Sequence, residues 1–153
     1  MRIAFDLDDT LIPGEHQFRL EPSPRGLLAS LLATEPLRLG TVELLNVLRQ
    51  KGHEIWVYTT SFRKPLATRM MFWCYGTRVR KVINEYAHQK LVARLGPAYK
   101  LCTKYPPAFG IDLLVDNSPL VLYESKTFDY DVLHVRPDDE DWVGTILDAL
   151  GID

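Results

Sequence analysis

The sequence predicts an α/β domain: a parallel sheet wound in both directions, with helices on each face. Three observations lead there. Short apolar runs recur at residues 3–5, 55–58, 111–115 and 132–135, interrupted only by Asp112 and His134, and runs of that length read as strands buried on both sides. Segments of helical periodicity lie between them. Strands that alternate with helices close most simply into a parallel sheet, because each crossover carries a helix back over one face.

The elements follow in chain order. Residues 3–5 form the first strand and end in a burst of carboxylates. Residues 12–24 hold three prolines and a glycine, and read as an irregular loop or small hairpin. Ser23-Pro24 has the cap-then-proline form of a helix start, with Leu27, Leu28, Leu31 and Leu32 at helical spacing until Pro36. Residues 41–51 read as a helix with Val42, Leu45 and Leu48 on one stripe and Gly52 as terminator. The second strand, 55–58, runs into Thr59-Thr60-Ser61. Pro65 starts a helix whose Ala67, Met70, Met71 and Cys74 are expected to face the core. Val79, Val82 and Ile83 suggest a third strand, and residues 86–95 a helix stopped by Gly96-Pro97. Lys104-Tyr105-Pro106-Pro107 is a stiff loop. Residues 111–115 form a strand ending at Asp116-Asn117-Ser118-Pro119, where a helix begins. Residues 132–135 form the fifth strand. Residues 140–150 form an amphipathic helix with Trp142, Val143, Ile146, Leu147 and Leu150 inward. No repeat, low-complexity tract or linker divides residues 1–153, so one domain is expected.

Composition narrows the class. The chain has 153 residues, 46% hydrophobic and 25% charged, an ordinary globular profile with room for a sizeable core. No apolar stretch approaches the ~20 residues that span a membrane. The chain opens directly on a strand, without a signal-peptide pattern, and Cys74 and Cys102 fit no zinc or redox spacing. A cytoplasmic location with reduced thiols is therefore expected, Cys74 packing in the core. The net charge of −2 hides an asymmetry. Residues 62–104 hold ten Lys or Arg and one acid, Glu85, whereas residues 111–153 hold eleven acids and two bases. A basic segment can attract a phosphorylated or nucleic-acid partner. A solvated helix face is the plainer reading, which leaves nucleic acid open but unfavoured.

Chemistry concentrates at Asp6-Leu7-Asp8-Asp9-Thr10. Three acids in four positions repel one another unless a cation binds. A hard divalent ion with oxygen ligands suits them, and Mg2+ takes one or two carboxylates plus phosphate oxygens. Parallel sheets carry ligand sites at the carboxyl ends of their strands, where Asp6 falls. The alternative is an acidic turn that caps a following helix through Asp9 or Thr10.

Directly after a strand, this stretch resembles the first motif of the haloacid dehalogenase superfamily of phosphohydrolases. Three further positions resemble the rest of the motif set. Residues 55–58 followed by Thr59 look like the second motif, in which Thr59 would give its hydroxyl and backbone N–H to a phosphoryl oxygen; Thr60 is the rival. Lys104, shortly before Pro106 and the fourth strand, looks like the third, ahead of Lys81, Lys90 and Lys100. Its ammonium would offset repulsion between an anionic nucleophile and an anionic phosphate. Leu113-Leu114-Val115-Asp116 looks like the fourth, with Asn117 where many members carry a second acid. The run 116–119 is also similar to the branch that dephosphorylates the RNA polymerase II C-terminal domain.

The resemblance implies a Rossmann-like, doubly wound fold and a Mg2+-dependent phosphatase. Asp6 would be the nucleophile that forms an aspartyl-phosphate and Asp8 the general acid and base. Thr59 and Lys104 would bind the phosphoryl group. Asp6, the main-chain carbonyl of Asp8, Asp116 and Asn117 would hold the metal. Residues 11–39 and 62–103 are needed largely for scaffold, which implies a site without a sizeable cap, open enough for a macromolecular phosphoester. Asn84 and His88, four apart near the third strand, could line the site or be satisfied structural groups.

Rival functions fit less well. A phosphoacceptor receiver module needs its acceptor Asp at the end of the third strand, and no Asp lies between Thr10 and Asp112. A binding module on this fold would be expected to have lost Asp6 or Asp8. A dehalogenase lacks the acid equivalent to Asp8. A phosphotransferase also fits the motifs.

Overall fold

A computed structural model describes residues 1–24, 26, 32 and 35–152. The helix expected from Ser23-Pro24 through Leu27, Leu28 and Leu31 lies outside the described residues. Five strands form one parallel sheet in the order β3-β2-β1-β4-β5. They are β1 (Arg2–Phe5), β2 (Glu54–Tyr58), β3 (Lys81–Ile83), β4 (Leu113–Asp116) and β5 (Val132–His134). The helices are α1 (Thr41–Gln50), α2 (Pro65–Cys74), α3 (Glu85–Leu95), α4 (Pro119–Phe128) and α5 (Trp142–Ala149). Short 3-10 turns cover Pro97–Tyr99 and Pro106–Phe109. The chain builds outward from β1 to β3 on one side, then returns to add β4 and β5 on the other, an arrangement compatible with a Rossmann-like fold.

Register explains why the strands read as continuous apolar runs. Ile3, Phe5, Ile55, Val57 and Val115 face one way and pack on Leu44, Leu45 and Leu48 of α1, Met71 and Phe72 of α2, and Trp142 and Ile146 of α5. Ala4, Trp56, Tyr58 and Leu114 face the other way, against Val121 of α4, with Ala87 of α3 packed alongside. Both sheet faces are covered, so alternate residues are all apolar.

Four expectations need correction. The inward stripe of α2 is not Ala67, Met70, Met71 and Cys74; the buried residues are Thr68, Met71 and Phe72. One position is about 100° of helix rotation, and seating the Phe72 ring turns Ala67 outward and leaves Met70 and Cys74 half-exposed. On α1 the buried set is Thr41, Leu44, Leu45 and Leu48, with Val42 partly buried. Val79 is buried but precedes β3, and Ile111 precedes β4, where a 3-10 turn still governs the backbone. No helix follows Asp9: its φ is +60° and the next turn is irregular. Residues 12–24, expected as an irregular loop or small hairpin, contain no strand, and Leu20 makes an isolated antiparallel bridge to Arg38, outside that stretch.

Candidate active site

The parallel register aligns the carboxyl ends of β1, β2 and β4, so Asp6, Thr59 and Asp116 finish neighbouring strands. Asp6 extends the pairing of β1 by one bond, its N–H donating to the Val115 carbonyl at 2.8 Å. The chain then turns sharply, and the Leu7 carbonyl accepts from the N–H groups of Leu11 and Ile12, at 2.9 Å each. This turn divides the acid cluster. The Asp9 carboxylate accepts from the N–H groups of Gly14, Glu15 and His16. Burial alone would raise its pKa, but these three donors hold it below the ordinary value. Asp9 therefore shapes the loop.

Lys104 lies between two acids. Its ammonium donates to Asp6 Oδ1 and, at 2.6 Å, to Asp116 Oδ2. Lys104 is 2% exposed, Asp116 1% and Asp6 6%. Lys81, Lys90 and Lys100 are exposed. Burial pushes the Asp6 carboxyl up to about 6, with Lys104 opposing the rise and Asp116 adding to it. Burial would lower the Lys104 pKa, but the two carboxylates hold it above the ordinary lysine value. Lys104 is thus held as a buried ammonium shared by two acidic side chains.

The segment bearing Lys104 is fixed on each side. The Glu124 carboxylate accepts from the Thr103 N–H at 2.9 Å and its hydroxyl at 2.8 Å. The Cys102 thiol donates to the Lys104 carbonyl, and burial raises its pKa to about 11, so it stays a thiol. The Tyr105 N–H donates to the Tyr58 hydroxyl at 3.0 Å. That hydroxyl lies 2.6 Å from His88 Nδ1, and His88 Nε2 lies 2.9 Å from the Cys102 carbonyl. A carbonyl accepts only, so Nε2 carries the proton and Nδ1 accepts from Tyr58. His88 is therefore a neutral structural link, consistent with the lowering of its pKa by burial. Asn84 caps α3, accepting from the Ala87 N–H at 3.1 Å, and donates to the Arg63 carbonyl.

Asp8 points elsewhere. Both its carboxylate oxygens accept from Arg63, at 2.8 Å each, and the same guanidinium makes two bonds to Glu35 at 2.8 and 2.7 Å. These bonds, those from Glu35 first, raise the Arg63 pKa. Sequence reading missed Arg63, which sits within a basic run where nothing distinguishes it from its neighbours. Missed too were Glu124 and Tyr58, whose partners lie 21 and 47 positions away.

Thr59 is fully buried. Its hydroxyl donates to Ser61 Oγ and accepts from the Ser61 N–H, at 3.1 Å each. Its backbone N–H donates to the Ile83 carbonyl at 2.9 Å. The expected N–H donation to a phosphoryl oxygen is therefore corrected: pairing with β3 continues past Tyr58 and uses that donor. Thr60 is exposed beside it.

The fit to Mg2+ rests on the donors present. Among the described residues, no three His, Cys, Asp or Glu side chains group to hold a metal. The available set is mixed and entirely oxygen. The Thr10 hydroxyl donates to Asn117 Oδ1 at 3.1 Å and lies 3.4 Å from Asp6 Oδ2, which brings those two oxygens together. His134 Nε2 lies 2.9 Å from the Asn117 carbonyl and fixes that residue. The Asp8 carbonyl takes no hydrogen bond from any described residue. Asp116 is committed on both oxygens, to Lys104 and to the Ser118 N–H at 2.8 Å. Oxygen donors beside two buried acids that share a single lysine fit a hard divalent cation.

No protein-family model matches the chain, and no curated protein matches it. Among solved structures, it is similar to a chain in the structure of the Pnkp1/Rnl/Hen1 RNA repair complex, at 15% identity with a TM-score of 0.55. The match covers 90% of this chain and 43% of the other, so the chain spans less than half the length of its structural neighbour. At that identity the likeness is one of fold.

Proposed function

We propose that the chain is a Mg2+-dependent phosphatase of haloacid dehalogenase type, a doubly wound domain without a sizeable cap, hydrolysing a phosphomonoester through an aspartyl-phosphate on Asp6. The observation that carries this reading is the buried Lys104 ammonium between Asp6 and Asp116 at the carboxyl edge of a parallel sheet. A structural ion pair has no need of a second buried carboxylate, which costs desolvation. An anionic substrate met by an anionic nucleophile does need the lysine.

The Asp6 carboxylate attacks phosphorus and forms an O–P bond as the bond to the leaving oxygen breaks. Lys104 offsets charge on the phosphoryl oxygens, and Asp116, itself oriented by the Ser118 N–H, keeps the ammonium in place. The Thr59 hydroxyl orients one phosphoryl oxygen by exchanging its bond to Ser61. Asp8, keeping one oxygen on Arg63 and carrying a proton on the other, gives that proton to the leaving oxygen, then as a carboxylate takes one back from the water that attacks the aspartyl-phosphate. Asp6 Oδ2, Asn117 Oδ1 and the Asp8 carbonyl would hold Mg2+; Asp116, expected as a further ligand, has its oxygens engaged by Lys104 and the Ser118 N–H and would act through Lys104. The ion supplies Lewis-acid stabilisation of the phosphoryl oxygens.

Arg63 orients Asp8 in this scheme, and its role is separable. Arg63→Met should slow turnover of an alkyl phosphate by about tenfold to a hundredfold, less than the roughly hundredfold to ten-thousandfold that general acid catalysis supplies, because Asp8 remains. An aryl phosphate whose leaving group needs no proton should be nearly unaffected. Equal losses on both esters would assign Arg63 to phosphate binding.

The direct test is turnover of an activated aryl phosphate with Mg2+, after chelation, and after Mg2+ is returned. Activity should vanish with the chelator and recover with the ion; activity that survives chelation sinks the reading. A panel of phosphopeptides, nucleotides and sugar phosphates would then name the substrate class. Polynucleotide ends belong in that panel, because the fold neighbour comes from an RNA repair complex.

A further inference from the structure

The basic segment of the sequence does not spread evenly over a solvated face. The rotation of α2 that buries Phe72 turns Leu66, Arg69 and Trp73 outward, and Trp73 is 58% exposed. The loop before β3 alternates exposed Arg78, buried Val79 and exposed Arg80, which sends both arginines to one side. That loop is held in place: the Arg80 N–H donates to the Ile55 carbonyl at 2.7 Å, and the Thr77 hydroxyl donates to Asn46 at 3.0 Å. Arg49, at the end of α1, completes a cleft of about 580 Å³.

The charges in this cleft are unbalanced. Glu54 lines it, but its Oε1 accepts from Trp56 Nε1 at 2.6 Å and lies 3.6 Å from Arg2. Arg69, Arg78 and Arg80 make no ion pair with any described residue. The cleft adjoins the N-terminal ends of β2 and β3, at the edge of the sheet opposite Asp6 and Thr59. A ligand there would leave the proposed phosphatase site free.

We infer that this cleft binds single-stranded nucleic acid, Arg69, Arg78 and Arg80 pairing with successive phosphates while a base stacks on Trp73. Guanidinium forks match phosphate oxygens, and base stacking on an exposed aromatic adds affinity without demanding a sequence. An acidic peptide would satisfy the arginines but would leave the Trp73 ring without a flat partner. This assignment does not depend on the phosphatase reading.

The test is fluorescence anisotropy with a labelled oligothymidylate of about 12 nucleotides that carries no terminal phosphomonoester, across a salt series. The full chain should bind it, with affinity falling steeply as salt rises. Arg78→Ala/Arg80→Ala should weaken binding by about tenfold or more and reduce the salt slope by about 0.7 per arginine, the value for a single strand. Trp73→Ala should weaken it by about fivefold or more and leave the slope unchanged. Arg78→Lys/Arg80→Lys should retain the slope, and circular dichroism of each variant separates lost binding from lost folding. Variants that bind like the parent, or no binding at low salt, would overturn the inference. Polyglutamate competing as well as the oligonucleotide would also overturn it and assign the cleft to an acidic protein.

Discussion

Asp6→Asn is expected to abolish turnover while making the metal-free protein more stable at neutral pH. The two effects share one cause. In the folded chain, burial holds the Asp6 carboxyl at about 6, against an ordinary value of 3.8. A group whose pKa is raised on folding stabilises the fold below its unfolded pKa, and that contribution is lost as the pH rises through the folded value. Ionised Asp6 therefore costs the metal-free fold on the order of 2–3 kcal/mol above about pH 6, at roughly 1.4 kcal/mol per pKa unit. Asparagine stands in for the neutral carboxyl, so the variant should escape the part of the parent's loss of stability between about pH 4 and pH 7 that Asp6 causes. Urea unfolding in the presence of chelator measures this directly. Mg2+ should then stabilise the parent and leave the variant unmoved, since a ligand stabilises only the state it binds. The chemical half is read by trapping the phosphoenzyme, which should be absent in Asp6→Asn. Asp8→Asn should instead stop turnover of ordinary esters while retaining phosphoryl transfer from an activated one. If Asp6→Asn turns over well and Asp8→Asn does not, the nucleophile is misassigned.

Much of the framework was legible because it depends on local pattern. A strand buried on both faces must be apolar at every position, so the runs at residues 3–5 and 55–58 announced β1 and β2, and the polar residue that ends each run marked the sheet edge. Helix faces were less legible. α2 offers apolar residues nearly all round, at Leu66, Met70, Met71, Phe72 and Trp73, and periodicity alone does not say which of them the sheet takes. The volume of Phe72 decides, through contacts with residues far away in sequence.

At the site, legibility stopped at the residues expected to touch substrate. Lys104 could be named from its place ahead of Pro106 and β4. What holds it there was less legible: His88 stood out only as a group that could line the site or be structural, and Glu124, Tyr58 and His88 act largely through backbone groups of residues 102–105, which leave no mark in the sequence. The same holds for Arg63, whose grip on Asp8 exists only once residues 8, 35 and 63 meet. Thr59 was legible as a residue type, but the state of its N–H depended on whether β3 pairs one position further, which is a matter of register.

Lys104→Met should lose both activity and stability, and the two losses can be separated by a second substitution. Methionine keeps most of the side-chain volume and removes the charge. Asp6 and Asp116 then face each other in a nearly water-free setting with no counter-charge. Breaking a buried pair from one side typically costs about 3–5 kcal/mol, because the remaining charge is left uncompensated. Here two carboxylates are orphaned, so one of them should take up a proton and the unfolding midpoint should become strongly pH-dependent, with the variant recovering as the pH falls. Adding Asp116→Asn removes one orphan, and the double variant should regain a large part of the lost stability. It should not regain turnover, since no cation remains to offset the phosphoryl charge. Lys100→Ala, which removes an exposed ammonium from the same connecting segment, should change neither quantity appreciably. A double variant that recovers activity along with stability would mean that Lys104 serves the fold alone. The third motif would then have to be sought among Lys81, Lys90 and Lys100.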